Sequence, residues 1–156
     1  MNNWKIKNPD FEKDIRKKLE GQAFMHHLGM DLDVIEAGYI VGSMPIRNFL
    51  TQQNGYVHGG VMATAADVVM GFAAFTLVGK RDRVVTVDLN MNFLRPGEGE
   101  KLQAEGRVLK AGRNIFYCEA ALYVFHGETK ILTNKATSTM YRIDPDHQTD
   151  PSKNSF

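Results

Sequence analysis

The stretch from Val61 to Val78 most limits what this chain can become. It reads Val-Met-Ala-Thr-Ala-Ala-Asp-Val-Val-Met-Gly-Phe-Ala-Ala-Phe-Thr-Leu-Val, and Asp67 is its only formal charge. The run is at the short end for spanning a bilayer and holds that charge near its middle, so it reads as a core helix wrapped by other elements. A carboxylate in a buried helix is costly unless it is paired or put to work. Immediately upstream stand His58, Gly59 and Gly60. A Gly-Gly helix start offers backbone N–H donors that no helical carbonyl satisfies. Donors and a carboxylate are the two parts an acyl-transfer site requires.

The flanking sequence says what wraps the helix. Phe11, Ile15 and Leu19 recur every four residues, which predicts a short amphipathic helix over 10–20 with Asp10 as N-cap. Residues 22–30 read as a connector ending at Gly29. Met30 to Glu36 alternates apolar and acidic residues, Ala37-Gly38 signals a hairpin, and Tyr39 to Pro45 returns. A long loop over 46–60 follows. Beyond the helix the chain is nearly all strand. Val85, Val87, Leu89, Met91 and Phe93 alternate with Thr86, Asp88, Asn90 and Asn92. Leu102 to Lys110 alternates more weakly, and Ala111 to Asn114 is a turn. Ile115 to Phe125 is apolar on both faces, as for a central strand covered on both sides, and Thr129 to Tyr141 is the last strand. The expected class is therefore α+β: a curved antiparallel sheet of about six strands around one long central helix, with a short N-terminal helix. Residues 1–143 read as a single domain, and 144–156 as a loose polar tail. One curved sheet leaves the far side of the helix open, and a second copy of the chain is the natural cover.

Composition excludes several classes of function. A net charge of +1 with no basic patch argues against nucleic acid or a charged membrane surface as partner. The lone cysteine, Cys118, rules out an intramolecular disulfide, fits a reducing compartment, and reads as strand packing. The first ten residues lack the apolar core of a signal peptide, so a cytoplasmic location is expected. His26-His27 has no matching carboxylate spacing, so no metal is expected, and no cofactor is required.

Helix geometry makes the site more specific. Gly60 and Asp67 are seven residues apart, nearly two turns, so they share a face about 10 Å apart along the axis. A general base must come within about 3 Å of the atom it activates, or act through one water. Asp67 therefore suits a carbonyl held by the Gly59–Gly60 donors of a second, antiparallel helix. There it serves as general base or as nucleophile. A thioester fits so sparse an apparatus because a thiolate leaves readily. The plainer roles are a capping or core histidine for His58, a tight helix entry for Gly59-Gly60, and an ordinary strand position for Thr86.

The segments Gln52-Gln53-Asn54-Gly55-Tyr56-Val57-His58-Gly59-Gly60, Asp67, Val85 to Asn90 and Phe93-Leu94-Arg95-Pro96 resemble the hotdog-fold acyl-CoA thioesterases, most closely the phenylacetate-pathway (PaaI-type) group. The resemblance spans about Gly29 to Tyr141. It implies a hotdog fold, a homodimer at least and often a tetramer, and an acyl-CoA substrate. It implies that Gly59 polarises the carbonyl, that the partner chain's Asp67 is base or nucleophile, that His58 supports the loop, and that Thr86 orients the water. Gln52 stands where the family usually has Asn, and Asn54 lies nearby at another spacing, so either is a candidate contact for the thioester. Arg95, Lys110 and Arg113 are candidate partners for coenzyme A phosphates. The competing readings are a non-catalytic acyl-CoA-binding protein and an enoyl-CoA hydratase or dehydratase on the same fold.

Overall fold

A computed structural model describes residues 4–145. The chain runs α1 (Phe11–Glu20), α2 (Ala23–Leu28), β1 (Asp31–Glu36), β2 (Tyr39–Pro45), a 3-10 turn (Asn48–Leu50), α3 (Gly59–Phe75), β3 (Arg83–Phe93), β4 (Lys101–Ala111), β5 (Ile115–His126) and β6 (Thr129–Ile143). The strands form one six-stranded sheet in the order β1-β2-β4-β5-β6-β3, every pair antiparallel.

Helix α3 touches β2, β3, β4, β5 and β6, which a flat sheet could not achieve. A close approach occurs at Gly106 of β4. A Cβ there would stand 2.6 Å from the carbonyl carbon of Val69, so only glycine lets the helix seat. Met62, Ala65, Ala66, Val69, Met70 and Ala73 of α3 bury against Ala104, Phe116, Leu122 and Met140 of the sheet. The opposite stripe, Val61, Thr64, Asp67, Val68 and Gly71, stays half-buried. Its spacing of three and four marks one continuous helix face that the other described residues leave open. Helix α1 docks through Ile15 and Leu19, each worth about 2 kcal/mol of apolar burial.

Strand β3 is one edge of the sheet, β1 being the other, and is exposed over most of its eleven residues, including Val85, Val87, Leu89 and Phe93. Its start is pinned by Asp82, which accepts hydrogen bonds from Arg142 of β6 at 2.6 and 3.0 Å and from the Gly79 N–H at 2.7 Å.

Four sequence expectations need correction. The 22–30 connector contains α2, whose buried Met25 and Leu28 are too few to show a period; Gly29 ends it in the left-handed region at φ 72°. The 46–60 loop holds the 3-10 turn and a Thr51–Val57 bridge. The long helix begins at Gly59 and ends at Phe75, and Thr76 to Val78 form a buried turn instead. There the Thr76 hydroxyl donates to the Ala73 carbonyl and accepts from the Gly38 N–H, spanning to the β1–β2 hairpin. Finally, β5 is interior to the sheet but its outer face is only partly covered: Ile115 and Tyr117 are exposed, Glu119, Tyr123 and Phe125 half-buried and Ala121 buried. The expected 144–156 tail lies, from residue 146 on, outside the described residues. Among the described residues no helix is long and apolar enough to cross a membrane.

Candidate active site

The N-terminus of α3 is built by its own loop. The Val57 N–H donates to the Gly97 carbonyl and the His58 N–H to the Leu50 carbonyl, both at 2.8 Å, which fixes the approach to the helix. His58 is the N-cap. Its Nδ1 accepts the Gly60 N–H at 2.9 Å, so one of the helix's free donors is consumed. The Gly59 N–H finds no acceptor among the described residues. It is the open donor, at the positive end of a 17-residue helix. The ring of Phe93, at the end of β3, stands beside it, 3.2 Å from where a Cβ on residue 59 would be.

Two turns on, Asp67 is half-buried, not enclosed as the apolar run around it predicts, because it sits on the open stripe of α3. Thr86 of β3 donates its hydroxyl to Asp67 Oδ1 at 2.7 Å. A β-bulge between Thr86 and Asp88 permits this contact. Thr86 pairs with Met140 and Leu89 with Ser138, both β6 partners fully buried, so two positions of opposite parity point the same way. The carboxylate is held through one oxygen, and Oδ2 accepts no hydrogen bond from the described residues.

Asp67 and Thr86 sit in the wall of a cavity of ≈ 440 Å³. It continues along Val68, Gly71, Phe72 and Phe75 of α3, Val84 of β3 and Met140 of β6, and reaches Lys18 and Gln22 at the end of α1. None of these further lining residues was singled out from the sequence. Gly71, a glycine inside a helical run, was the available signal.

The sequence candidates therefore form two groups. His58, Gly59 and Gly60 cluster at the helix start; Asp67 and Thr86 cluster eight residues from Gly59, about 12 Å along the axis. Gln52 is half-buried and closes a turn, accepting the Gly55 N–H at 2.9 Å, with Asn54 exposed at its tip. Arg95 is exposed just past β3 and donates to the Leu132 carbonyl at 2.9 Å. Lys110 and Arg113 are exposed where β4 turns into β5, at the opposite end of the sheet from Arg95. His26 Nε2 lies 2.8 Å from the Glu20 carbonyl, and the His27 ring packs 5.2 Å from that of Phe49, so each histidine is engaged locally. Cys118 is fully buried, and burial pushes its thiol up to about 12.

A long helix wrapped by an antiparallel sheet, with a short N-terminal helix, is the hotdog fold. The sequence profile of the thioesterase superfamily matches residues 54–131, half of the chain. A thioesterase family protein from Silicibacter pomeroyi superposes with a TM-score of 0.84 at 32% identity, covering 85% of this chain and 98% of that one. The medium/long-chain acyl-CoA thioesterase YigI of Escherichia coli strain K12 is 28% identical over 143 residues, 78% of this chain and 90% of its own. The Escherichia coli PaaI protein from the phenylacetic acid degradation operon shares the fold, with a TM-score of 0.79 at 19% identity over 88% of this chain and 96% of that one. A relative from Saccharolobus solfataricus, described as an esterase, is 35% identical over 92 residues, 58% of this chain and 65% of its own length. The chain belongs to the thioesterase superfamily and is a thioester hydrolase.

Proposed function

We propose that the protein hydrolyses acyl-CoA thioesters at a site shared between two chains of a homodimer, and that residues 1–143 make up the catalytic domain. The observation that carries this reading is the separation within one chain. The open donor at Gly59 and the Thr86-held carboxylate of Asp67 are about 12 Å apart on one helix, too far to act on one carbonyl. Two α3 helices packed antiparallel through their half-buried stripes bring each Asp67 opposite the partner's Gly59, with Ala63 at the two-fold axis. The exposed edge of β3 supports the same pairing, because an unpaired strand edge is a template for a second chain. The opposite ends of two antiparallel β3 strands then meet. Arg95 of one chain and Arg113 and Lys110 of the other flank the phosphates of coenzyme A, and the Gln52–Gly55 turn, with Asn54 at its tip, borders the thioester. The exposed outer face of the sheet, Ile115, Tyr117 and Tyr141, offers a surface for pairing dimers into tetramers. A reduced, buried Cys118 suits a cytoplasmic setting.

The chemistry follows from the groups. The carbonyl oxygen accepts the Gly59 N–H of one chain, with His58 holding the loop rigid. Asp67 of the other chain takes a proton from a water that Thr86 helps to orient, and the water oxygen bonds to the carbonyl carbon. The oxyanion collapses and the C–S bond breaks. The proton held by Asp67 passes to the departing thiolate, leaving the free acid and coenzyme A. The relative in Escherichia coli named for medium- and long-chain acyl-CoA supports this substrate class.

The test is a panel of acyl-CoA thioesters read by free-thiol release, with wild type and Asp67→Asn. Cys118 is fully buried, which shields it from a thiol reagent in the folded protein. We expect turnover by the wild type and a loss of about 10²- to 10⁴-fold in kcat for the variant. Equal rates would remove Asp67 from the mechanism, and no thiol release from any acyl-CoA would overturn the function.

A further inference from the structure

Gly71 lies in the interior of α3, where glycine is less favourable than alanine. The two usual reasons for keeping a glycine in a helix do not apply. Its φ is not positive, and a Cβ at that position would meet only the terminal methyl of Met140, at 4.0 Å, an ordinary contact. Gly106 and Gly97 differ, since a Cβ there would strike the Val69 backbone at 2.6 Å and the Met62 side chain, respectively. What a side chain on Gly71 would occupy is the cavity itself, midway between Asp67 and Phe75.

The cavity walls include the apolar Val68, Phe72, Phe75, Val84 and Met140, and Lys18, Gln22 and Arg83 bring polar groups to the same cavity. From Asp67 to Phe75 is eight residues, about 12 Å of helix rise. A saturated chain advances about 1.25 Å per carbon, from a C–C bond of about 1.5 Å at a near-tetrahedral angle, so the space takes about nine or ten carbons. At its far end Lys18 Nζ lies 4.9 Å over the Phe75 ring, and a longer chain has to displace it. The proposed dimer leaves this channel free. Gly71 is four residues past Asp67, so it faces a point four residues before the partner's Gly59, outside the partner's helix.

We propose that Gly71 is a specificity-determining residue, kept as glycine to hold open an acyl channel along α3 for straight chains of up to about nine or ten carbons. This rests on the acyl-CoA reading above.

The experiment compares wild type, Gly71→Ala and Gly71→Met in two measurements. The first is the ratio of kcat/KM for decanoyl-CoA to that for butyryl-CoA. It is expected to fall several-fold in Gly71→Ala and at least about tenfold in Gly71→Met, since a methylene's worth of pocket commands about 10- to 200-fold discrimination. The second is thermal unfolding with and without decanoate, which needs no turnover. Gly71→Ala is expected to melt higher than wild type, and decanoate to protect wild type but not Gly71→Met. Hydrolysis with an unchanged ratio in all three proteins would overturn the channel and leave the function standing. A lower melting point for Gly71→Ala would also overturn it, since the space would then be filled in the native protein. Selective protection by decanoate without any acyl-CoA turnover would uphold the channel and overturn the function.

Discussion

Gly59 is the first residue of α3, the helical position where proline is best tolerated because its N–H bonds to nothing in the helix. His58 before it has φ −61° and ψ 135°, a conformation that suits the residue preceding a proline. Gly59→Pro therefore deletes the proposed carbonyl donor with little demand on the backbone. Any Cβ at this position also presses on Phe93 at 3.2 Å, so Gly59→Ala, which keeps the N–H, is the control. We expect kcat to fall about 10²- to 10³-fold in Gly59→Pro, as for loss of one oxyanion donor, with Gly59→Ala far closer to wild type. Similar losses in both would assign the effect to Phe93 packing. At this scale the sequence was partly legible. Asp67 stood out because a charge in an apolar run is costly and rare. That Gly60 rather than Gly59 gives its N–H to His58 Nδ1 depends on a side-chain rotamer, which no spacing encodes.

Of the two edge strands, β1 and β3, it is β3 that carries the threonine that holds Asp67, so its anchoring bears on the site. The Asp82–Arg142 pair anchors its start to β6, with the carboxylate side chain 7% exposed and the guanidinium 19%. Burial pushes the Asp82 carboxyl up. The hydrogen bonds from Arg142 and the Gly79 N–H, with the charge of Arg142, outweigh that and hold it below its ordinary value. A folded-state pKa lowered in this way adds stability that is present above the ordinary carboxylate pKa of 3.8 and lost as pH falls through the lower, folded value. We expect Arg142→Met to lose about 2–4 kcal/mol at neutral pH by urea unfolding, since it strands a buried carboxylate. The gap between wild type and variant should close as the medium is taken below pH 3.8. A gap independent of pH would mean that Arg142 acts through packing alone. The strands of this sheet were readable because alternation is strong in 85–93 and turn residues punctuate the rest. Helix α2 was not, having six residues and two buried side chains. Nor was the partly exposed outer face of β5, since apolar residues on both faces of a strand do not say how much of the second face is covered.

At the scale of the whole molecule, an edge strand of eleven residues, an open helix stripe and a site divided along one helix are the three features that the proposed second copy would complete. A two-fold dimer makes two sites, each with Gly59 from one chain and Asp67 from the other. This allows a test that a single-chain site cannot pass. Asp67→Asn homodimers lack the base in both sites, and Gly59→Pro homodimers lack the donor in both. A heterodimer of the two has one site with neither group and one with both. Unfolding and refolding an equal mixture gives about half heterodimers, hence about one quarter of the wild-type sites. We expect thiol release from the mixture to approach that fraction, well above either variant alone, with size-exclusion chromatography and light scattering confirming a dimer of the 17.5 kDa chain. A mixture no more active than the mean of its parents, though dimeric, would place both groups in one chain and require α3 to bend or the substrate to bridge about 12 Å.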